Sequence, residues 1–567
     1  FAFYEKIKVP PPTFCPECRL VRRLAWRNER SLHKRTCDLT GENIISVFAP
    51  DKPYKVYSGK AWWGDAWDPF SYGVDYNPNV PFFIQFDELL KRVPLMNLFG
   101  FYTSLVNSEY TNMVSYLKNC YMVTYSDTGE NLMYGSFVNR SKDCVDCLIV
   151  LDSEFCYECV NCIKCYQAFF SNDCESCSEV YFSKNCVGCT DCFGCANLRN
   201  QKYQIFNVQY SKDDYQKEIA KRLPLTREKI TQYRREAEEH WILYPQRYCH
   251  WTHNADVSGE YIGYSKNTKD SYLVVKTEDS KYCMYIGEGN ARDLYDFTSF
   301  GTSSELMYDT LQAGEQCSGI RFGWWVAQGV RNVDYSVMIS GGHDLFGCVA
   351  LKKKEYCILN KQYTPDEYTA LRGRIIEEMN KHPYTDAKGR VYRYGEFFPP
   401  EMSPFGYNET NAQEFFPLSE DEAIDRGYQW YENTQNIYQS TIHGKGLPES
   451  IENVGDDITK EVIGCSETGK AFRIIPSEID FYRRMKLPLP SIHPDVRHTK
   501  RTRYRNSIKL WHRKCQCSGD ASSKGVYQNT ATHTHGAEPC PTEFETSYAP
   551  DRPEIVYCEQ CYNAEVA

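Results

Sequence analysis

Every third position between Leu105 and Leu198 carries a small or aliphatic residue, and none of these positions is charged. The positions in between are mostly polar or aromatic. Such a short fixed period is typical of repeat architectures in which each coil buries its inner face against the next. The pattern predicts a mainly β fold built as a triplet-repeat β-solenoid. The inward series includes twelve cysteines, which are Cys144, Cys147, Cys156, Cys159, Cys162, Cys165, Cys174, Cys177, Cys186, Cys189, Cys192 and Cys195.

A longer period of 18 is superposed on the triplets, because Cys144 recurs as Cys162 and Cys156 recurs as Cys174. This recurrence predicts six triplets, or about 18 residues, per coil. A weaker triplet series runs from Gly259 to Gly289, is blurred after it, and resumes between Val333 and Leu351. We therefore expect two tandem solenoids, of which only the first is rich in cysteine.

The repeated Cys-x-x-Cys spacing is compatible with metal or iron–sulfur binding, with stacked disulfides, or with buried thiols. An internal duplication helps to decide among these. The segment Phe193–Cys195 returns 153 residues later as Phe346–Cys348, and the same register places Cys192 opposite Leu345. Leucine cannot ligate a metal, whereas free cysteine behaves as a small buried hydrophobe. The duplication favours core thiols over the other two interpretations.

Helical patterns follow both solenoids and are expected to cap their ends. One runs from Ser211 to about His240 with an interruption at Pro224, and the other from Thr364 to about Asn380; both begin with an N-cap residue and acidic first-turn residues. The predicted order is a degenerate zinc-ribbon module (1–66), a linker with a short helix (67–102), a Cys-rich solenoid (103–210), a helical connector (211–245), a Cys-poor solenoid (246–363), a helix (364–383), an extended aromatic and Pro-rich linker (384–459) and a zinc-ribbon module (460–567).

The two ends of the chain are duplicates of each other. The residues from Phe3 to Cys37 match those from Phe481 to Cys515 at an offset of 478, and Ala49–Pro53 matches Ala549–Pro553. In the C-terminal copy two cysteine pairs have the spacing of a tetrahedral structural zinc site. The predicted ligands are Cys515, Cys517, Cys558 and Cys561. The insertion between them, 518–539, is followed by Cys540 and contains His533 and His535; it is either a source of substitute ligands or a flexible loop.

The N-terminal copy is expected to have lost its equivalent site, because Ser58 and Ala61 stand where the second cysteine pair should be. Cys15 and Cys18 form a separate pair, and Cys37 and His33 are the nearby candidates to complete a site with them. The matching position of Cys465 falls before Phe1, so we expect half of this ribbon to be missing from the chain as it begins.

Several long motifs make the chain resemble an uncharacterised family of Cys-rich zinc-ribbon proteins that is abundant in candidate-phyla bacteria. The motifs are VPPPTFCPECRLVRRLAWRNER (9–30), APDKPYKVY (49–57), SPFGYNET (403–410), EFFPLS (414–419) and APDRPEIVYCEQCY (549–562). The resemblance covers nearly the whole length and implies zinc binding without an established activity. It also implies that the family's second N-terminal Cys pair is replaced here by Ser58 and Ala61.

Arginines recur at intervals of four in both terminal copies, so in a helix they share one face. They are Arg19, Arg23 and Arg27 in the first copy, and Arg497, Arg501 and Arg505 in the second. Basic residues outnumber acidic ones seven to two between Cys15 and Cys37, although the whole chain carries a net charge of −10. This pattern predicts exposed basic stripes that contact a polyanion such as RNA or a ribonucleoprotein.

Three functional classes follow from these observations. The first is a non-enzymatic, zinc-stabilised scaffold that contacts RNA through the arginine stripes. The second is a structural protein whose arginines pair with acids and whose modules and solenoids form a homo-oligomer. The third is an enzyme of unknown class, although the chain has no phosphate loop, nucleophile elbow or His-Glu-x-x-His motif, and nothing identifies a small-molecule substrate.

Composition narrows the setting. A chain of 567 residues with 42% hydrophobic and 25% charged residues is long enough for several folded domains. It has no apolar run approaching the roughly 20 residues that span a bilayer. Its 27 cysteines stand mostly in a buried register, which suits a reducing compartment and predicts a cytoplasmic protein.

Overall fold

The computed structural model describes residues 1–287, 289–432 and 438–566 and is mainly β. The chain forms two compact units, each assembled from two segments that are distant in sequence. The first unit combines Phe1–Phe99 with Cys249–Glu432, and the second combines Gly100–Tyr248 with Asn433–Ala567. Each unit therefore contains one terminal module and one stack of strands.

The stack in the second unit, here called the Cys-rich stack, consists of short strands whose ladders are parallel except at the last strand. Its strands are Thr111–Lys118, Val123–Glu130, Ser136–Asn139, Ser141–Lys142, Leu148–Leu151, Val160–Ile163, Tyr166–Phe169, Ser178–Tyr181, Thr190–Phe193, Lys202–Ile205 and Val208–Gln209.

Ladder partners in the Cys-rich stack lie 12 residues apart, as in the bond from the Val138 backbone N–H to the Ser126 hydroxyl. The predicted coil length of about 18 residues is therefore wrong, and four triplets separate one strand from the next. One residue in each triplet, such as Asn119, Met122 or Tyr125, has a left-handed backbone with φ between 47° and 54°. These residues directly precede the inward positions, so the backbone turns at every triplet.

The interior of the Cys-rich stack is lined by the triplet series, as the sequence predicts. All twelve cysteines from Cys144 to Cys195 are buried, with relative exposures of 3% or less. Their thiols donate hydrogen bonds to backbone carbonyls, such as Cys144 Sγ to Lys142 O at 3.3 Å and Cys147 Sγ to Val145 O at 3.4 Å. These thiols therefore serve as small core side chains.

The stack in the first unit, here called the Cys-poor stack, repeats this arrangement less regularly. Ladder partners are 12 residues apart at its C-terminal end, but 13 or 14 apart in the middle, as for Leu294 N–H bonded to the Ser280 hydroxyl. These longer repeats explain why the triplet series blurs there. Its strands are Trp251–Thr252, Ala255–Gly263, Lys266–Val275, Thr277–Lys281, Met284–Ile286, Ala291–Phe300, Glu305–Gly314, Ser318–Arg321, Trp324–Ala327, Arg331–Asp334, Val337–Phe346, Lys352–Ile358 and Lys361–Gln362.

The ends of the two stacks are built alike, in agreement with the internal duplication. Asn207 accepts a hydrogen bond from the Ala196 backbone at 2.8 Å, and Asn360 accepts the equivalent bond from Val349 at 2.8 Å. Helices follow at the predicted places. They are Lys212–Arg222 and Arg227–Trp241 in the second unit and Pro365–Lys381 in the first, and each begins at a side-chain N-cap.

The remaining helices belong to the segments around the stacks. They are Ala2–Ile7, Pro16–Leu24, Gly59–Trp63, Phe82–Arg92, Asn411–Phe415 and Glu420–Asp425 in the first unit, and Pro476–Met485, Pro494–Thr502 and Glu559–Val566 in the second. Within the described residues, no helix combines the length and apolar character that crossing a bilayer requires.

The segment predicted as an extended linker is partly a folded element of the first unit. Its residues 384–432 contain a short hairpin and two helices, and Phe397 and Phe398 are fully buried. The aromatic side chains that suggested a surface-bound linker are core residues, because rings such as Trp26 and Phe86 stack on Phe398.

Short strand pairs complete both terminal modules. The antiparallel pairs are His33–Thr36 with Asn43–Ser46, Tyr384–Thr385 with Val391–Tyr392, Ile463–Gly464 with Ala471–Phe472, and Trp511–Lys514 with Glu543–Thr546; the parallel pairs are Val56–Tyr57 with Leu95–Met96, Gln246–Arg247 with Val556–Tyr557, and Ile442–His443 with Ile463–Gly464.

Candidate metal centre

A hairpin and a helix in the C-terminal module bring four cysteines together. Cys515 directly follows the hairpin strand Trp511–Lys514, while Cys558 and Cys561 stand at the start of the last helix. Cys540 joins them because its backbone N–H bonds to the Cys517 carbonyl at 2.9 Å, across the base of the insertion. Four thiols from three separate segments thus meet inside the module.

The four sulfur atoms of Cys515, Cys540, Cys558 and Cys561 all lie within 4.8 Å of one another, and all four residues are buried. The Sγ atoms of Cys540 and Cys558 are 3.9 Å apart. In a regular tetrahedron with zinc–sulfur bonds of about 2.3 Å, the sulfur atoms are about 3.8 Å apart. The group can therefore hold a tetrahedral metal ion with little rearrangement.

The group is also prepared for deprotonation, which metal binding requires. Hydrogen bonding from the Cys515 thiol is the main influence that lowers the pKa of Cys558 to about 4, against the opposing effect of burial. The Cys558 backbone N–H in turn donates to Cys515 Sγ at 3.2 Å.

The predicted ligand set needs one correction, because Cys540 and not Cys517 is the fourth member of this group. The sequence held a signal for this choice. After the insertion the offset between the terminal copies is 500, which places Cys540 opposite Thr40 in the Cys37-x-x-Thr40 turn. Cys515 and Cys540 are thus the two ends of one knuckle that the insertion has separated.

The insertion itself brings a second group of donors beside the first. Cys517, His533, His535 and Cys561 offer ligand atoms that lie within 4.8 Å of one another. His535 was a weaker prediction and His533 was named only as part of the insertion. Both are placed here, and Cys561 belongs to both groups.

The N-terminal candidates do not come together. Cys15 and Cys18 are exposed, and Cys15 caps the helix Pro16–Leu24 by accepting the Cys18 backbone N–H at 3.3 Å. Cys37 is buried beside the Ser58 backbone N–H, and His33 bonds to the Glu409 carboxylate at 2.8 Å. Among the described residues these four form no ligand group, so the weaker N-terminal metal prediction is not supported.

The arginines of the N-terminal module are buried, which corrects the prediction of an exposed basic stripe. Arg19 pairs with Asp296 at 2.9 Å, and Arg23 pairs with Asp309 at 2.7 Å. Both carboxylates belong to the Cys-poor stack, and all four side chains have exposures of 3% or less. Arg27 is also buried and pairs with Glu29.

The C-terminal module repeats this arrangement on the Cys-rich stack. Arg497 and Arg501 contact the two oxygens of Asp146 at 3.0 Å and 2.8 Å, and none of the three side chains is more than 1% exposed. Arg505 is buried as well. Helical spacing had correctly placed these arginines on one face, but that face is turned towards the stack instead of the solvent.

Glu478 lies at the edge of this ion pair and is fully buried. It accepts hydrogen bonds from the hydroxyls of Tyr134 at 3.0 Å and Tyr482 at 3.2 Å, and it lies 3.6 Å from Arg497. Burial is the main cause that raises the pKa of Glu478 to about 7, and the nearby charge of Asp146 adds to it.

This shift predicts a pH dependence of the second unit. A carboxyl group whose folded pKa exceeds its unfolded value of 4.5 contributes stability below pH 4.5, which is lost as the pH rises towards 7. The Glu478→Gln variant retains the neutral form, so its stability relative to the parent protein should increase by about 3 kcal/mol between pH 5 and pH 8. Denaturant unfolding of both proteins across this range measures the difference. A difference that does not change with pH would contradict the assignment.

Comparison of the chain with models of known protein families finds no matching family, and comparison with curated protein sequences finds no match either.

Proposed function

We propose that the protein is a non-enzymatic, metal-stabilised structural scaffold. Each stack of strands forms a β-solenoid with about 12 residues per coil, and a terminal module is fixed to it by buried arginine–carboxylate pairs. Zinc closes the C-terminal module. The single observation that carries this proposal is the group of four buried thiols, Cys515, Cys540, Cys558 and Cys561, with sulfur atoms within 4.8 Å of one another.

The composition of this group supports a structural and not a catalytic role. Structural zinc sites have four protein ligands, whereas catalytic sites keep one position open for water or substrate. Here four cysteines are available to one ion, and all of them are buried. Thiolate ligands also favour zinc over hard cations such as magnesium or calcium.

The buried arginines favour the structural class over RNA contact. The stripes were the only specific support for polyanion binding, and a guanidinium that is paired inside the protein is not available to a phosphate. In each unit the arginines instead join the terminal module to carboxylates of the stack. A scaffold of this kind offers long outer surfaces to further copies of the chain or to other proteins.

Removal of the metal from the full chain tests this role. Because the affinity of a structural zinc site is largely folding free energy, a strong chelator should unfold the module around the site. We expect hydrogen exchange to accelerate at residues 511–566 and to stay slow in the core of the Cys-rich stack, and added zinc should restore protection. Unchanged exchange at 511–566 after the metal has been removed would overturn the proposal.

A further inference from the structure

We propose that the C-terminal module holds two metal ions that share the thiolate of Cys561. This inference rests on the proposed metal role and extends it from a single zinc ion to a binuclear centre. One ion would be bound by Cys515, Cys540, Cys558 and Cys561, and the other by Cys517, His533, His535 and Cys561.

The donor count fits two tetrahedral ions. Seven residues contribute ligand atoms, and Cys561 is the only member of both groups. A thiolate sulfur has lone pairs for two metal ions, so one shared cysteine completes both coordination shells. Each shell then has four donors of the types that zinc prefers.

His535 presents an unprotonated nitrogen to the shared sulfur. Its Nδ1 lies 2.6 Å from the carbonyl oxygen of Glu538, which can only accept, so Nδ1 carries the proton. In the neutral ring the lone pair is then on Nε2, which lies 3.3 Å from Cys561 Sγ. A backbone carbonyl that fixes the tautomer of a ligating histidine is a common feature of metal sites.

His533 is oriented in the corresponding way by a carboxylate. Its Nε2 donates to Glu565 at 2.8 Å, which leaves the lone pair of Nδ1 for a metal ion. The buried side chain of Glu565 also accepts bonds from the Thr530 backbone at 2.8 Å and the Tyr527 hydroxyl at 3.0 Å. Glu565 therefore positions both the histidine and the insertion that carries it.

Cys517 completes the second group from the opposite side. Its sulfur is 1% exposed and accepts a hydrogen bond from the Asn529 amide at 3.2 Å, an arrangement that stabilises a thiolate. The N-terminal copy has Leu39 at the position of Cys517 and lacks the insertion. The second group of donors is thus found only in the copy that also contains the first.

Charge balance favours two ions over one. The five cysteines of the two groups would carry a net charge of about −3 as thiolates around one divalent ion, but about −1 around two. Uncompensated charge inside a protein is costly, and the second ion reduces that cost.

Metal stoichiometry tests the inference. The full chain is loaded with zinc, freed of excess metal and measured by native mass spectrometry. We expect two zinc ions per chain in the parent protein and in the His512→Ala control, since His512 is an exposed residue of the same module that contacts Glu543 and Glu545. The double variant His533→Ala/His535→Ala should retain one ion.

The outcomes separate this inference from the proposal on which it rests. One ion in both the parent and the double variant would overturn the binuclear centre but preserve the structural metal role, and no ion in any protein would overturn both. Two ions in the double variant would also overturn the assignment. If that variant does not fold, Glu565→Gln keeps both histidines and should weaken binding of the second ion about 10–100-fold; unchanged binding would contradict the inference.

The bridge itself has a separate readout. After substitution with cadmium-113, two ions that share the Cys561 sulfur should show scalar coupling to each other in the NMR spectrum. Two uncoupled signals would mean that the ions occupy independent sites and would overturn the shared thiolate.

Discussion

Replacement of Asp146 by alanine should destabilise the second unit by about 3–5 kcal/mol, because it leaves two buried arginines without their shared carboxylate. Arg497 and Arg501 both contact Asp146 at 3.0 Å or less, and all three side chains are at most 1% exposed. The pair joins the C-terminal module to the Cys-rich stack, so its loss should also release the module. Denaturant unfolding followed by hydrogen exchange of residues 494–502 measures both effects.

A matched control is available in the same stack. Asp152 pairs with Arg140 at 2.7 Å, but these side chains are 36% and 42% exposed. Exposed pairs contribute little, so Asp152→Ala should cost less than about 1 kcal/mol. Equal effects of the two substitutions would show that Asp146 does not fix the module to the stack.

The direction of the triplet residues could be predicted from the sequence, whereas the length of the coil could not be read from the cysteines. Any multiple of three residues per coil keeps the same positions inward, so repeats of 12 and of 18 satisfy the burial pattern equally well. The decisive signal was polar. Asn107, Asn119 and Asn131 recur every 12 residues, and their side chains form one continuous hydrogen-bonded ladder.

The arginine pattern shows a different limit of sequence reasoning. Spacing established that Arg497 and Arg501 share a helix face, but a count of charges cannot tell whether that face is solvated or buried. Their partner Asp146 lies about 350 residues earlier in the chain. It occupies an outward position of the triplet repeat, where an acidic residue is ordinarily exposed. Only the tertiary fold reveals that a module covers it.

The metal centre was predicted in the correct module with three of its four first-group ligands. The error arose because Cys517 is closer to Cys515 in sequence than Cys540 is, and the intervening segment looked like a loop without structural consequence. In the folded module Glu565 holds that segment in place through Thr530 and His533. This contact between the insertion and the last helix has no local sequence signature.

The second large effect is expected for Cys515→Ser, which removes one thiolate from the group of four cysteines. Apparent binding free energies of structural zinc sites are about 10–16 kcal/mol, and most of this energy stabilises the fold. We therefore expect the variant to lose zinc and the module around residues 511–566 to unfold. Cys37→Ser is the matched control, because Cys37 is the counterpart of Cys515 in the N-terminal copy and is also buried.

Zinc content of these two full-length variants, measured by elemental analysis after removal of loosely bound metal, tests the scaffold account most directly. The account predicts that Cys37→Ser retains the zinc content of the parent protein, since Ser58 and Ala61 replace the second cysteine pair beside it, while Cys515→Ser loses at least one ion per chain. Equal zinc content in the two variants would contradict a structural metal centre in the C-terminal module.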